Sequence, residues 1–220
     1  MTKTLPPEWL MPTVPVNWDT QADLAAWNWS DVAALPPFTL ADGSGPAKQQ
    51  TTARICADTQ ALYLRFDCAD HDIWGTYSHR DAPIYDEEVV ELFIGPGETD
   101  PIHYYEFEIS PNGVLLDAKV YNPTSQRAEL EVDTQWDCPG ICWQAGRDDE
   151  ANHWWAILVV PWAAIASPGK LPQVWRANFF RIERPRNAEP EFSCWSPTMT
   201  NPADFHKPAW FGKLKLPEVS

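Results

Sequence analysis

Apolar and polar residues alternate through much of the middle of the chain. In YYEFEISPNG (104–113), Tyr105, Phe107 and Ile109 fall on one side, and Tyr104, Glu106, Glu108 and Ser110 on the other. A period of two marks a half-buried β-strand, so the polar set is predicted to form one exposed row. Upstream, Val90, Leu92 and Ile94 alternate with Val89, Glu91 and Phe93, and Leu62, Leu64 and Phe66 alternate with Tyr63, Arg65 and Asp67. Strands are predicted over 52–67, 88–95, 103–110, 114–121, 153–160 and 176–183. In SPNG (110–113), Asn112 and Gly113 accept positive φ, which predicts a hairpin between the third and fourth of these.

Helical patterning is confined to PWAAIA (161–166), a single turn with Pro161 in its first turn, and to a short stretch around Ala22–Trp27. No helix is long enough for a βαβ crossover, which excludes a doubly wound nucleotide-binding fold. The pattern predicts an all-β protein, an antiparallel two-sheet β-sandwich of immunoglobulin or jelly-roll type with little helix. Residues 1–50, rich in Pro, Trp and Ala, are expected to wrap the core of one domain spanning 1–220.

Composition narrows the partners. The 220 residues carry 13 Trp and 22 Pro and are 44% apolar, enough for a sizeable core in a loop-rich chain. A net charge of −15 repels phosphate backbones and anionic membranes, so neither nucleic acid nor a membrane is an expected partner. The five cysteines form no CxxC pair, and their odd number leaves one unpaired in any disulfide scheme. The opening MTKTLPPEWL has no basic segment followed by an apolar run. Both features predict a reduced, cytoplasmic protein.

Neighbouring strands that each offer carboxylates amid aromatic rings suit a neutral, hydroxyl-rich ligand. Rings cover apolar C–H faces, and carboxylates accept from hydroxyls. The order of motifs sharpens this: ALYLRFDCAD (61–70), Tyr85 before an acidic pair and VVELF (89–93), YYEFEISPNG, WWAILVVPW (154–162), RANFFRIE (176–183), CWSPT (194–198) and FGKLKL (211–216). Over residues 14–216 this series resembles carbohydrate-binding module family 9, within the DOMON-like β-sandwiches. The resemblance implies a non-catalytic module that clamps a sugar, at a chain end, between two aromatic rings. It places those rings at Tyr85 and Trp195, and the polar contacts at Glu91, Glu108, Ser110, Arg181 and Glu183. Glu108 and Ser110 stand where family members carry Arg and Asn, so the known specificities do not carry over. Arg181 is the expected partner of Glu91, because an unpaired charge on either strand face would be poorly solvated. Trp74 and Tyr77 are candidates to extend the site.

Two other readings share the sandwich. Glu106 and Glu108 could serve as the acid and nucleophile of a glycosidase, but adjacent side chains on one strand point the same way and do not straddle a bond. A haem-binding DOMON-like redox domain would need axial ligands, and Met1, Met11, Met199 and the five histidines show no ligand spacing. No cofactor is expected beyond a structural calcium ion, for which the oxygen-rich loops 67–72, 81–88 and 97–100 are candidates. The expected partner is an oligo- or polysaccharide, with a separately encoded carbohydrate-active enzyme as a further candidate.

Overall fold

The computed structural model describes residues 5–16, 18 and 23–217. Its strands are β1 (Glu8–Leu10), β2 (Thr39–Leu40), β3 (Thr51–Ala57), β4 (Ala61–Ala69), β5 (Val89–Pro96), β6 (His103–Ile109), β7 (Leu115–Tyr121), β8 (Glu131–Asp133), β9 (Cys142–Asp148), β10 (His153–Pro161), β11 (Val174–Glu183), β12 (Glu191–Cys194) and β13 (Gly212–Lys215). The larger sheet runs β1-β13-β11-β5-β6-β7-β8, with β12 also pairing β11 and carrying β2; the smaller runs β3-β4-β10-β9. Among these strands only β1 with β13 is parallel. Helix is limited to α1 (Trp162–Ile165) and short 3-10 turns. The protein is the expected β-sandwich.

The faces follow the alternation. Leu62, Leu64 and Phe66 of β4 meet Val90, Leu92 and Ile94 of β5 in the core between the sheets, together with Phe107, Trp154 and Phe179. Their opposite neighbours lie on the outer faces. On the small sheet, Tyr63 packs with Trp27 and Trp29 of the N-terminal segment, and Trp18 stacks on Trp27 at 4.8 Å. The turn expected at Ala22–Trp27 is a 3-10 turn over Leu24–Ala26, capped by the Asp23 side chain; Ala22 lies outside the described residues.

The strand predicted over 52–67 is a hairpin. Asp58 breaks it, its Oδ1 accepting hydrogen bonds from the Gln60 and Ala61 amides at 2.7 and 2.8 Å, a local bond that competes with the ladder. The SPNG turn closes β6 onto β7 as predicted, and Gly113 alone of its Asn-Gly pair takes positive φ, at 77°.

The outer row of β6 departs from expectation. Tyr104, Glu106, Glu108 and Ser110 are all buried. The segment around Phe205–Phe211 folds back over this face: Phe205 stacks on Phe180 at 4.2 Å, and Phe211 meets Tyr104 edge-on at 5.3 Å. Burial of each such ring is worth about 1.5–3 kcal/mol. The row becomes the floor of a recess.

Candidate functional site

The recess has a volume of about 630 Å³. Its floor is set by register: Glu91 of β5 lies directly opposite Glu108 of β6, and Phe93 opposite Glu106. Oxygens of Glu91, Glu106 and Glu108 all lie within 4.8 Å of one another. Each of the three residues is at most 6% exposed. Oε2 of Glu106 and Oε2 of Glu108 are buried without a hydrogen-bond partner. Leu116, Ile182 and Phe93 surround these carboxylates with apolar surface.

Above the floor, Tyr85 stands 45% exposed at the rim. It is held there by the 3-10 turn Ile84–Asp86, whose Ile84 is anchored in the apolar cluster beneath. Phe192 of β12 and Phe205 form further wall, and the Arg184 guanidinium lies 5.4 Å over the Phe192 ring. His206 closes another side. Asn122 Nδ2 donates to the Tyr104 hydroxyl at 3.2 Å, and that hydroxyl shares a hydrogen bond with His206 Nδ1 at 2.8 Å. Burial lowers the His206 pKa, which favours the neutral ring.

Burial chiefly, and the neighbouring carboxylates after it, push the pKa values of Glu91 and Glu108 well above the usual carboxylate range. No ion pair among the described residues joins the three to a cation. Arg127 reaches Asp204 at 3.4 Å instead.

Three predicted contact residues lie elsewhere. Arg181 is opposite Val90 in the β5–β11 register, so it points between the sheets while Glu91 points outward. The expected Arg181–Glu91 pair is therefore not formed. Arg181 donates to Asp70 Oδ2 at 2.9 Å and to the Ala69 carbonyl at 2.6 Å, and lies over the Trp154 ring. Trp195 is 4% exposed and sits in the core, edge-on to Phe179 and directly over Gly212, where a Cβ would stand 2.2 Å from the ring. It cannot clamp a ligand in the recess, and Phe192 is the late-strand ring that lines it. Strand alternation carried that signal: in EFSCW, Phe192 and Cys194 share one face and Ser193 and Trp195 the other. Glu183 faces an adjoining recess of about 640 Å³ that shares the Phe192 wall. Ser110 is in the row, but its Oγ accepts from the Val114 amide at 3.2 Å and serves the turn. Of the other candidates, Trp74 donates its indole N–H to the Arg184 carbonyl at 2.6 Å, and Tyr77 packs against the apolar cluster of this face. Phe205, Arg127 and His206 lie in loops without periodicity, and nothing in the sequence marks them.

Two further acidic clusters bear on the metal expectation. Asp70, Glu88 and Glu183 come together around Arg181, and Asp81, Asp117 and Asp137 around Arg80, which binds Asp117 at 2.7 Å and Asp137 at 3.0 Å. In the third loop, Asp100 pairs with Arg176 at 2.9 Å. The chain itself thus supplies a cation at each loop expected to hold calcium.

The sequence profile of carbohydrate-binding family 9 matches residues 44–216. The chain belongs to carbohydrate-binding family 9. An extracellular protein of Arthroderma benhamiae is 30% identical over 174 residues, covering 75% of this chain and 78% of that protein. A Bacteroides uniformis protein described as carbohydrate-binding superposes with a TM-score of 0.76 at 20% identity, over 96% of this chain and 99% of the other. A family 9 module from Caldicellulosiruptor kristjanssonii, solved with glucose, gives a TM-score of 0.64 at 14% identity over 97% of each chain. Its complex with cellotriose gives 0.61 at 13%, over 97% and 95%. At these identities the structures attest the fold, and the profile attests the family.

Proposed function

We propose that this family 9 protein binds a carbohydrate non-covalently in the outer-face recess, and that it takes the end of a glycan rather than a long run of polymer. One observation carries this reading: a recess walled by Tyr85 and Phe192 has a floor of carboxylates on which Glu106 Oε2 and Glu108 Oε2 are buried with no donor from the rest of the protein. Hydroxyl groups of a sugar are donors of the required kind, and aromatic rings cover its C–H faces. A volume near 630 Å³ lies within the range of about 300–1,000 Å³ usual for small-ligand sites, which suits one or two sugar rings. The glucose held by the Caldicellulosiruptor module is a ligand of that size class.

The placement of the floor acids supports binding without cleavage. Glu106 and Glu108 project from one strand and Glu91 from its neighbour, so all three approach a ligand from below. A glycosidase needs its two carboxyls on either side of the scissile bond.

A glycan array followed by titration calorimetry tests the reading. Tyr85→Ala and Phe192→Ala should each weaken binding of the array hit about tenfold or more, as expected for loss of an aromatic face. Wild-type affinity in both variants would place the site elsewhere.

A further inference from the structure

Five carboxylates line the recess, from Asp86, Glu91, Glu106, Glu108 and Asp204, against two guanidinium groups, from Arg127 and Arg184. Neither arginine forms an ion pair with the three floor carboxylates among the described residues: Arg127 is spent on Asp204, and Arg184 lies over Phe192. The floor therefore holds three nearly buried acids that form no ion pair among the described residues, the Arg127 charge acting on Glu91 only from beyond contact. A neutral sugar would satisfy oxygens one hydroxyl at a time and bring no positive charge to them.

The spacing fits one donor group in particular. Three oxygens separated by up to 4.8 Å surround a point about 2.8 Å from each, the length of a charge-assisted N–H···O bond. A primary ammonium has three N–H donors and one positive charge. Glu106 Oε2 and Glu108 Oε2, buried and unpartnered, are two of the acceptors such a group needs. The aromatic wall beside this floor suits the ring of a sugar rather than a bare ion. A net charge of −15 also draws cationic saccharides toward the surface.

On the strength of the recess being the sugar site, we infer that its preferred ligand is an amino sugar with a free ammonium, such as the end of a glucosamine chain, seated with its nitrogen over Glu91, Glu106 and Glu108. The ammonium replaces the protons that otherwise relieve the repulsion between these acids. N-acetylation removes the charge and two of the three donors, so it abolishes the preference.

Titration calorimetry on the whole chain, in buffer containing EDTA, tests this with glucosamine, N-acetylglucosamine and glucose, and with the β-1,4-linked disaccharides of glucosamine and of glucose. Glucosamine and its disaccharide should bind about tenfold or more tightly than the neutral counterparts, as expected for hydrogen bonds made to charged groups. The preference should shrink with added salt. The Glu106→Gln, Glu108→Gln double variant should bring the glucosamine-to-glucose ratio close to about one, the charge-assisted share of the bonds being lost. Equal or tighter binding of glucose by the wild type would overturn the inference while leaving the recess a sugar site. Binding of none of these sugars, with no hit on the array, would overturn both. Calcium binding, titrated separately in EDTA-free buffer and lost in the double variant, without any preference for the ammonium sugar, would overturn it in favour of a metal ion. Should the double variant fail to fold, the ligand series on the wild type still decides.

Discussion

Two trios of buried carboxylates stand in this protein, Asp70–Glu88–Glu183 at one end of the sandwich and Glu91–Glu106–Glu108 on the outer face of the large sheet. Both draw their oxygens within 4.8 Å, yet the chain treats them differently. Asp70 receives Arg181, the Trp154 indole and the Asp72 amide, and Glu88 receives the Arg184 amide. In the first trio Arg181 answers Asp70, and burial and the Asp70 carboxylate push the Glu88 pKa up to about 10. Each trio keeps buried oxygens without a partner, Glu88 Oε2 in the first and Glu106 Oε2 and Glu108 Oε2 in the second, but all three acids of the second line one recess and none of them is in an ion pair among the described residues. Residue type and proximity are the same in the two. The ion pair from Arg181, present in the first and without a counterpart in the second, is what separates the structural cluster from the candidate binding floor.

The sharpest way to break this comparison is to remove the cation of the first trio. Arg181→Met should leave Asp70 buried and uncompensated and destabilise the protein by about 3–5 kcal/mol in urea unfolding. Glu91→Gln should not share in that loss, and a double-mutant cycle between the two should be additive, since they face opposite sides of the sheet. A coupling between them would mean that the register of β5 and β11 is different. The aromatic residues divide in the same way. Trp195→Ala should cost about 3–5 kcal/mol of stability as a core truncation, whereas Tyr85→Ala, at an exposed rim, should change stability by less than about 0.5 kcal/mol.

A pH series sharpens the contrast. Glu88 holds its proton in the folded state well above the pH at which the unfolded chain releases it, near 4.5. The folded state then binds more protons, so stability should fall as pH rises from about 4.5 toward about 10, by at most about 1.4 kcal/mol per pH unit per proton. Glu91 and Glu108 act with the same sign. Glu88→Gln, which keeps a donor for Asp70, should flatten the slope of the melting temperature against pH. An unchanged slope would show that Glu88 is ionised.

The smallest expected effect is on the floor itself. Glu91 and Glu108 are carboxyl groups directly opposite across a strand pair, where carrying both as anions is unfavourable and one is held protonated at a cost. Glu108→Gln should therefore raise stability at pH 8, by about 0.2–1 kcal/mol, while weakening ligand binding. A loss of stability would mean that an unseen donor or ion is already satisfying this carboxylate.

Local pattern determined the strands and their faces, because a period of two is written residue by residue. Alternation alone put Leu62, Leu64 and Phe66 inward and placed Glu91, Glu106 and Glu108 on outward faces of adjacent strands. It was silent on β9, where CWQAGRD has no clean period, and on short strands such as β1 and β2, whose pairing depends on distant partners rather than on their own residues. Tertiary structure decided what covers a face and what answers a charge. The row on β6 reads as exposed until Phe205 and Phe211, about a hundred residues later, close over it. Arg181 reads as a partner for Glu91 until the antiparallel register turns it toward Asp70, over a hundred positions away in sequence. Burial and electrostatic pairing are properties of neighbours in space, and a sheet assembles those neighbours from strands that the chain keeps far apart.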